Sequence, residues 1–227
     1  AGSKCRYWSI RRNTSGCIDV GRTMARRAPS IGITGGTGVG KSTVARALER
    51  RGTLILDADR IGHEVLDDAT VRTALVEAFG ADILGANGRT DRRALGAKVF
   101  SDSDALARLN AIVHPPLLAR LRERLDGATD APVVAVDAAL ITEWGIEGWF
   151  DRIVVVTAPT EVVTERLRAK GLSDEQIANR VAAQLSTSER IRGARERGHT
   201  PPVVIENDGE IARIERVVAE LWNELVG

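Results

Sequence analysis

Between a short β-branched run and a helix-period segment the chain reads GITGGTGVGKST, Gly32 to Thr43, with four glycines between its first residue and its lysine. Glycine inside a helix or strand costs roughly 0.5–1 kcal/mol relative to alanine, so this density marks backbone that has to stay free of Cβ atoms. Gly35, four residues, then Gly40-Lys41-Ser42 satisfies GxxxxGK(S/T). The run SIGIT (30–34) before it and VARALERR (44–51) after it supply the strand and the helix that a phosphate-binding loop of this kind requires. The expected loop is Gly35, Gly36, Thr37, Gly38, Val39, Gly40, Lys41, Ser42 and Thr43. Its backbone N–H groups turn inward around phosphate oxygens and the helix adds its positive dipole end. Lys41 reaches the β- and γ-phosphates, and the Ser42 hydroxyl ligates a nucleotide-borne Mg²⁺.

Four more strand candidates follow: TLILD (53–57), PVVAVD (132–137), RIVVVT (152–157) and PVVIEN (202–207). Several are continuously apolar, as expected of strands buried on both faces of a parallel sheet. Leu106, Leu109, Ile112, Val113, Leu117, Leu118, Leu121 and Leu125 recur at three- and four-residue steps, as do Ile211, Ile214, Val217, Val218, Leu221 and Leu225. Strands alternating with helices predict an α/β fold, a doubly wound parallel five-stranded sheet. The stretch 58–131 is much longer than one crossover needs and is expected to form a helical insertion.

A phosphate loop binds nucleotide without naming the reaction. A guanine-selecting NKxD motif is missing, and the one DxxG, Asp59 to Gly62, stands too close to the loop to act as a switch. Motor and helicase ATPases usually need more than 227 residues, which leaves a small kinase. Asp57 and Asp59 close the second strand candidate, where the carboxyl ends of neighbouring strands face one crevice. One carboxylate can accept the proton of an attacking hydroxyl while the other positions it; alternatively, DAD caps the next helix. Asp137, ending VVAVD, is placed to support Mg²⁺, or else to form a turn.

Ser173 to Gln176 is a capping box, preceded by Arg166, Arg168 and Lys170 and followed by Arg180, Arg190, Arg192, Arg195 and Arg197. This cation-rich helical segment is expected to form a lid; most of its arginines are read as solvated, with function reserved for Arg166 and at least one on the lid. His63 and His199 are isolated and receive no role. His114, followed by Pro115 and Pro116, is expected at a helix break. No His, Cys, Asp or Glu cluster has metal-ligand spacing, so the only metal expected is Mg²⁺ carried by the nucleotide.

The charge balance narrows the partners. Residues 1–30 carry seven bases and one acid, a net +6, while the remaining 197 residues, with 25 bases and 30 acids, are −5. A body of that sign is a poor general nucleic-acid binder. No apolar run approaches the roughly 18 residues that span a bilayer. Both cysteines, Cys5 and Cys17, lie in the basic head, so no thiol chemistry holds the body together, in keeping with a cytoplasmic protein. Met24, the only methionine, is read as a natural start, and residues 1–23 as an extension or an appended segment.

These pieces together resemble the dephospho-coenzyme A kinases. The resemblance runs in order along 31–227: IGITGGTGVGKST, LDADRI, FGADIL, NGRTDRRALGAKVF, LNAIVHP, VVAVD with ALITE, RIVVVTAP, ERL and VVIENDG. It implies a P-loop core (about 30–60, 131–165 and 200–227), a helical CoA-binding insertion (about 60–130) and a helical lid (about 166–200). It also implies transfer of the ATP γ-phosphoryl, with Mg²⁺, to the 3′-hydroxyl of dephospho-CoA, by a monomer or small homo-oligomer. By match to the family pattern, Asp59 is the general base, Lys41 and Arg166 act on the transferred phosphate, and Asn207 belongs to the adenine-side loop. Asp57, Arg92, Asn110, His114 and Leu140 fall on the acceptor side, and Ser42 with Asp137 on the metal. Two stretches depart from the pattern: Ala139-Leu140-Ile141 lacks the usual proline, and STSERIRGARERGHTPP replaces a shorter lid return. A kinase of another small hydroxyl or nucleoside monophosphate, or a nucleotide-dependent binding module, is the alternative.

Overall fold

The computed structural model describes residues 27–99 and 102–227; the reading of residues 1–23 as an extension, the start at Met24, and Phe100 of the VF pair fall outside them. Strands β1 (Ser30–Thr34), β2 (Leu54–Asp57), β3 (Val134–Asp137), β4 (Arg152–Thr157) and β5 (Val203–Glu206) pair in parallel in the order β2-β3-β1-β4-β5. All five coincide with the expected runs: β2 and β3 begin one and two residues later, and β5 is shorter by one residue at each end. The helices are α1 (Lys41–Glu49), α2 (Ala58–Leu66), α3 (Ala69–Phe79), α4 (Arg92–Val99), α5 (Ser103–Gly127), α6 (Ile141–Trp144), α7 (Thr160–Ala169), α8 (Asp174–Ala182), α9 (Thr187–Arg197) and α10 (Ile211–Val226).

The continuously apolar strands are explained by the two cores they divide. Along β3 and β4 the side chains alternate: Val134, Val136, Ile153 and Val155 enter a core shared with α2, α3 and α5, whereas Ala135, Val154 and Val156 enter one shared with α1, α7 and α10. Helices from the 58–131 stretch thus also form the covering layer of one sheet face. On β1, Gly32 faces the first core so closely that a Cβ there would stand 2.7 Å from Phe150 Cδ2.

One expectation needs correcting. Pro115 and Pro116 do not break the helix: α5 runs without interruption for 25 residues. The prolines remove the amide donors that would reach the carbonyls of Ala111 and Ile112. The helix nevertheless continues, because Leu117, Leu121 and Leu125 recur every four residues and are buried against the first core.

Strand order decides what meets at the carboxyl edge. β3 inserts between β2 and β1, so Asp57 and Asp137 are partners in the β2–β3 register and Ile33 is the partner of Asp137 across β1. The loop that leaves β1 and the carboxylates ending β2 and β3 therefore open onto one crevice.

Candidate active site

The loop's shape follows from three glycines. Gly38 and Gly40 have φ of 78° and 89°, and Gly35 has φ of 154°. A Cβ on Gly35 would run into the Val156 carbonyl, and one on Gly40 into the Asn207 side-chain amide. Helix α1 starts directly after Gly40 with no side-chain cap and no acidic residue in its first turn. Its terminal N–H groups and dipole are left for an external anion.

Lys41 bends back over the loop, its Nζ donating to the carbonyls of Gly35 (3.1 Å) and Gly36 (3.3 Å). Burial lowers the pKa of its ammonium, opposed by the charges of Asp137 and Asp59. Burial likewise pushes the Asp137 carboxyl up to about 6; Lys41 pulls it down, and Asp57 and Asp59 push it further up. These groups, with Ser42, Thr43, Arg166 and Asn207, line a cavity of about 630 Å³. Arg166 is carried by α7, and Asn207 follows β5, where its N–H donates to the Thr157 carbonyl at 2.7 Å. Both residues hold the loop itself: Arg166 Nη1 and Asn207 Nδ2 donate to the Val39 carbonyl.

A second cavity, about 380 Å³, adjoins the first, with Asp59 and Ala139 belonging to the walls of both. Arg92, Asn110, His114 and Leu140 line it, so every residue expected on the acceptor side reaches this hollow except Asp57, which faces the phosphate cavity alone. Asn110 and His114 share a face of α5 because they are four residues apart. Burial lowers the His114 pKa, and its ring stands edge-on to Trp144, centroids 5.7 Å apart. Asp57 also caps α2, accepting from the Arg60 N–H at 3.1 Å, so the capping and crevice readings both hold for it. The turn at Ala139, without its proline, is tied to β1 by Thr34 Oγ1, which donates to the Ala139 carbonyl at 3.1 Å.

Three residues with no assigned role also belong here, and two arginines of the expected lid are tied to carboxylates beside it. His63 lines the second cavity with its Nε2 2.7 Å from Arg92 Nη1. Trp144 walls the same hollow. Gln184, between α8 and α9, accepts from the Thr37 N–H at 2.8 Å. Arg190 is only 1% exposed and pairs with Glu143 of α6 at 3.2 Å, so this arginine at least is not part of a solvated face. Arg197 pairs with the fully buried Glu147. Nothing local separates Arg190 from the arginines around it, and an isolated histidine or glutamine carries no motif.

A phosphate loop after β1, carboxylates at the ends of the adjoining strands and a second hollow that shares Asp59, in the first turn of α2, with the phosphate cavity define a P-loop kinase. The family model of dephospho-CoA kinase matches residues 29–213, and the chain belongs to that family. The dephospho-CoA kinase of Streptomyces avermitilis is 41% identical over 198 residues, covering 86% of this chain and 93% of its own. That of Thermobifida fusca is 39% identical over 197 residues, covering 86% and 95%. The crystal structure of TT1252 from Thermus thermophilus, 35% identical, superimposes with a TM-score of 0.73 over 89% of this chain and all of its own. The dephospho-CoA kinase from Campylobacter jejuni, 20% identical with a TM-score of 0.60, shares the fold over 88% of this chain and 98% of its own.

Proposed function

We propose that the protein transfers the γ-phosphoryl of ATP to the ribose 3′-hydroxyl of dephospho-CoA, the final step of coenzyme A synthesis. The observation that carries this reading is the meeting of the two cavities at Asp59: one is walled by the phosphate loop, the other by Arg92, Asn110, His114 and Leu140. A hydroxyl presented from the second hollow meets a carboxylate before it meets the phosphates. Asp59 accepts the hydroxyl proton, and Lys41 and Arg166 balance charge on the transferring group. Positioning and electrostatics are enough, because phosphoryl transfer asks little covalent chemistry of the protein.

Mg²⁺ keeps several waters and takes few protein ligands. Ser42 and Asp137, both oxygen donors on the phosphate cavity, fit it. Held there, Mg²⁺ would neutralise charge on the phosphate oxygens. In this reading α2–α5 present the acceptor, residues 166–200 act as a lid, and the protein works in the cytoplasm as a monomer or small homo-oligomer. The body carries no cysteine, and no helix among the described residues is long and apolar enough to cross a membrane.

The test is ADP release from Mg-ATP with dephospho-CoA, AMP, CMP, shikimate or no acceptor. Stimulation by dephospho-CoA alone, with CoA as product, is expected. Equal rates with every acceptor would overturn the proposal.

A further inference from the structure

The peptide unit joining Gly36 to Thr37 is held at both of its polar atoms. Its carbonyl oxygen accepts from Lys41 Nζ at 3.3 Å, and its N–H, that of Thr37, donates to Gln184 Oε1 at 2.8 Å. A peptide plane so held cannot rotate without breaking one of these bonds, so the side chain that fixes the N–H also orients the carbonyl on which Lys41 rests. Gln184 comes from the distant end of the chain, 147 residues away.

Gln184 is itself firmly placed. It follows the last turn of α8, and its neighbour Leu185 offers its carbonyl to Arg190 Nη1. Arg190 is buried and bound to Glu143, on the helix that follows the Ala139 turn. Two residues after Gln184, the Ser186 hydroxyl and the Glu189 carboxylate close a capping box that sets the start of α9. Arg190 is buried while Glu143 is partly exposed, so removing the carboxylate would leave a buried guanidinium without its charged partner, and the pair fixes the geometry of the segment around it. What it specifies here is the position of the Gln184 amide over the loop.

We propose that Gln184 is a positioning residue for phosphoryl transfer: its amide latches the α8–α9 segment onto the phosphate loop at Thr37 and holds Lys41 through the Gly36–Thr37 peptide. The inference rests on the kinase reading of the site. Removing the latch frees the peptide plane, so Lys41 addresses the phosphates less well and the segment covers them less tightly. Turnover falls while ground-state ATP binding, carried by the rest of the loop and α1, is largely kept. A looser cover also admits water, raising the share of ADP released without phosphorylated acceptor.

The experiment compares Gln184→Ala and Gln184→Glu with the parent in full steady-state kinetics, in ADP release without acceptor, and in tryptic cleavage after Arg180 with a non-hydrolysable ATP analogue present. For Gln184→Ala we expect kcat about 10- to 100-fold lower, on the scale of misplacing a catalytic group by an ångström. KM for ATP should stay within about 3-fold, since uniform binding is not what is lost. The acceptor-free share of ADP should rise, and cleavage after Arg180 should be faster. Gln184→Glu keeps the accepting oxygen, and should recover part of kcat while raising KM for ATP through repulsion of the phosphates. Unchanged kcat, hydrolysis and cleavage in Gln184→Ala overturn the latch, as does a kcat loss matched by a lowered melting temperature and left unrescued by glutamate. Should the parent itself make no CoA, the acceptor assignment fails and the latch is judged on the cleavage rates, equal rates overturning it.

Discussion

Arg166 and Asn207 hold the same atom. Arg166 Nη1 and Asn207 Nδ2 donate to the Val39 carbonyl at 3.2 and 2.9 Å, and Arg166 Nη2 donates to Asn207 Oδ1 at 3.0 Å. The triangle joins α7, the turn after β5 and the phosphate loop, and its amide corner is only 2% exposed. Asn207→Ala would leave a buried carbonyl short of a donor and a guanidinium short of an acceptor. A loss of about 1–3 kcal/mol is expected in denaturant unfolding, together with a raised KM for ATP. Arg166→Lys should lower kcat in steady-state assays, because a single ammonium cannot reproduce the two-pronged grip on Val39 and Asn207.

Gly40 is a loop position poorly able to accept a side chain. Its φ of 89° is costly for any L-residue, and a Cβ would collide with the Asn207 amide just described. Gly40→Ala should abolish detectable ATP binding in calorimetry. Destabilisation of the ligand-free protein should be modest, about 1–3 kcal/mol for one strained residue. Gly62, in α2, has open space around its Cα. Gly62→Ala should stabilise by up to about 1 kcal/mol in the same unfolding experiment.

How much of this was legible in the sequence depends on whether the signal is local. The five strands stand out because each is a short apolar, β-branched run, with β1, β3 and β4 buried on both faces and the edge strands β2 and β5 only in part, and the loop because its glycines and lysine are close together in the chain. Arg190 and Gln184 owe their positions to contacts 47 and 147 residues away, which no window reveals. His63 reads as a stray histidine until α4 folds back and brings Arg92 to it. The His114 segment misleads in the other direction: two prolines speak for a break, but a stripe of buried leucines outweighs two lost amide donors.

Asp59, in the first turn of α2, is exposed and common to both cavities. Asp59→Asn keeps the shape and removes the basic oxygen. Turnover with dephospho-CoA should drop about 10²–10⁴-fold, the range for loss of a general base, while ATP affinity measured by calorimetry is retained. Near-normal turnover would assign proton removal to another group, with Asp57 the next carboxylate on the phosphate cavity.

In the proposed reading, Asp137 links metal, pH and stability in one side chain. Burial raises its pKa from 3.8 to about 6, so around pH 5 the folded protein holds a proton that the unfolded chain has released. The group's contribution is most favourable below pH 4 and is lost as pH rises through 6, where the carboxylate is charged in both states and the folded state bears its desolvation. In the absence of nucleotide and metal, Asp137→Asn should therefore be more stable than the parent at pH 7, and that advantage should shrink towards pH 4 in urea titrations. Catalysis should run the opposite way. If Asp137 holds Mg²⁺ as proposed, it does so as the ionised carboxylate, so kcat/KM for ATP should fall as pH drops through about 6 at limiting Mg²⁺. Raising free Mg²⁺ should move that acid limb to lower pH, since the metal competes with the proton for the same oxygens. In Asp137→Asn the asparagine cannot ionise, so whatever activity remains should show no such shift. A limb near pH 6 that ignores Mg²⁺ in the parent would place the titrating group elsewhere and remove Asp137 from the metal.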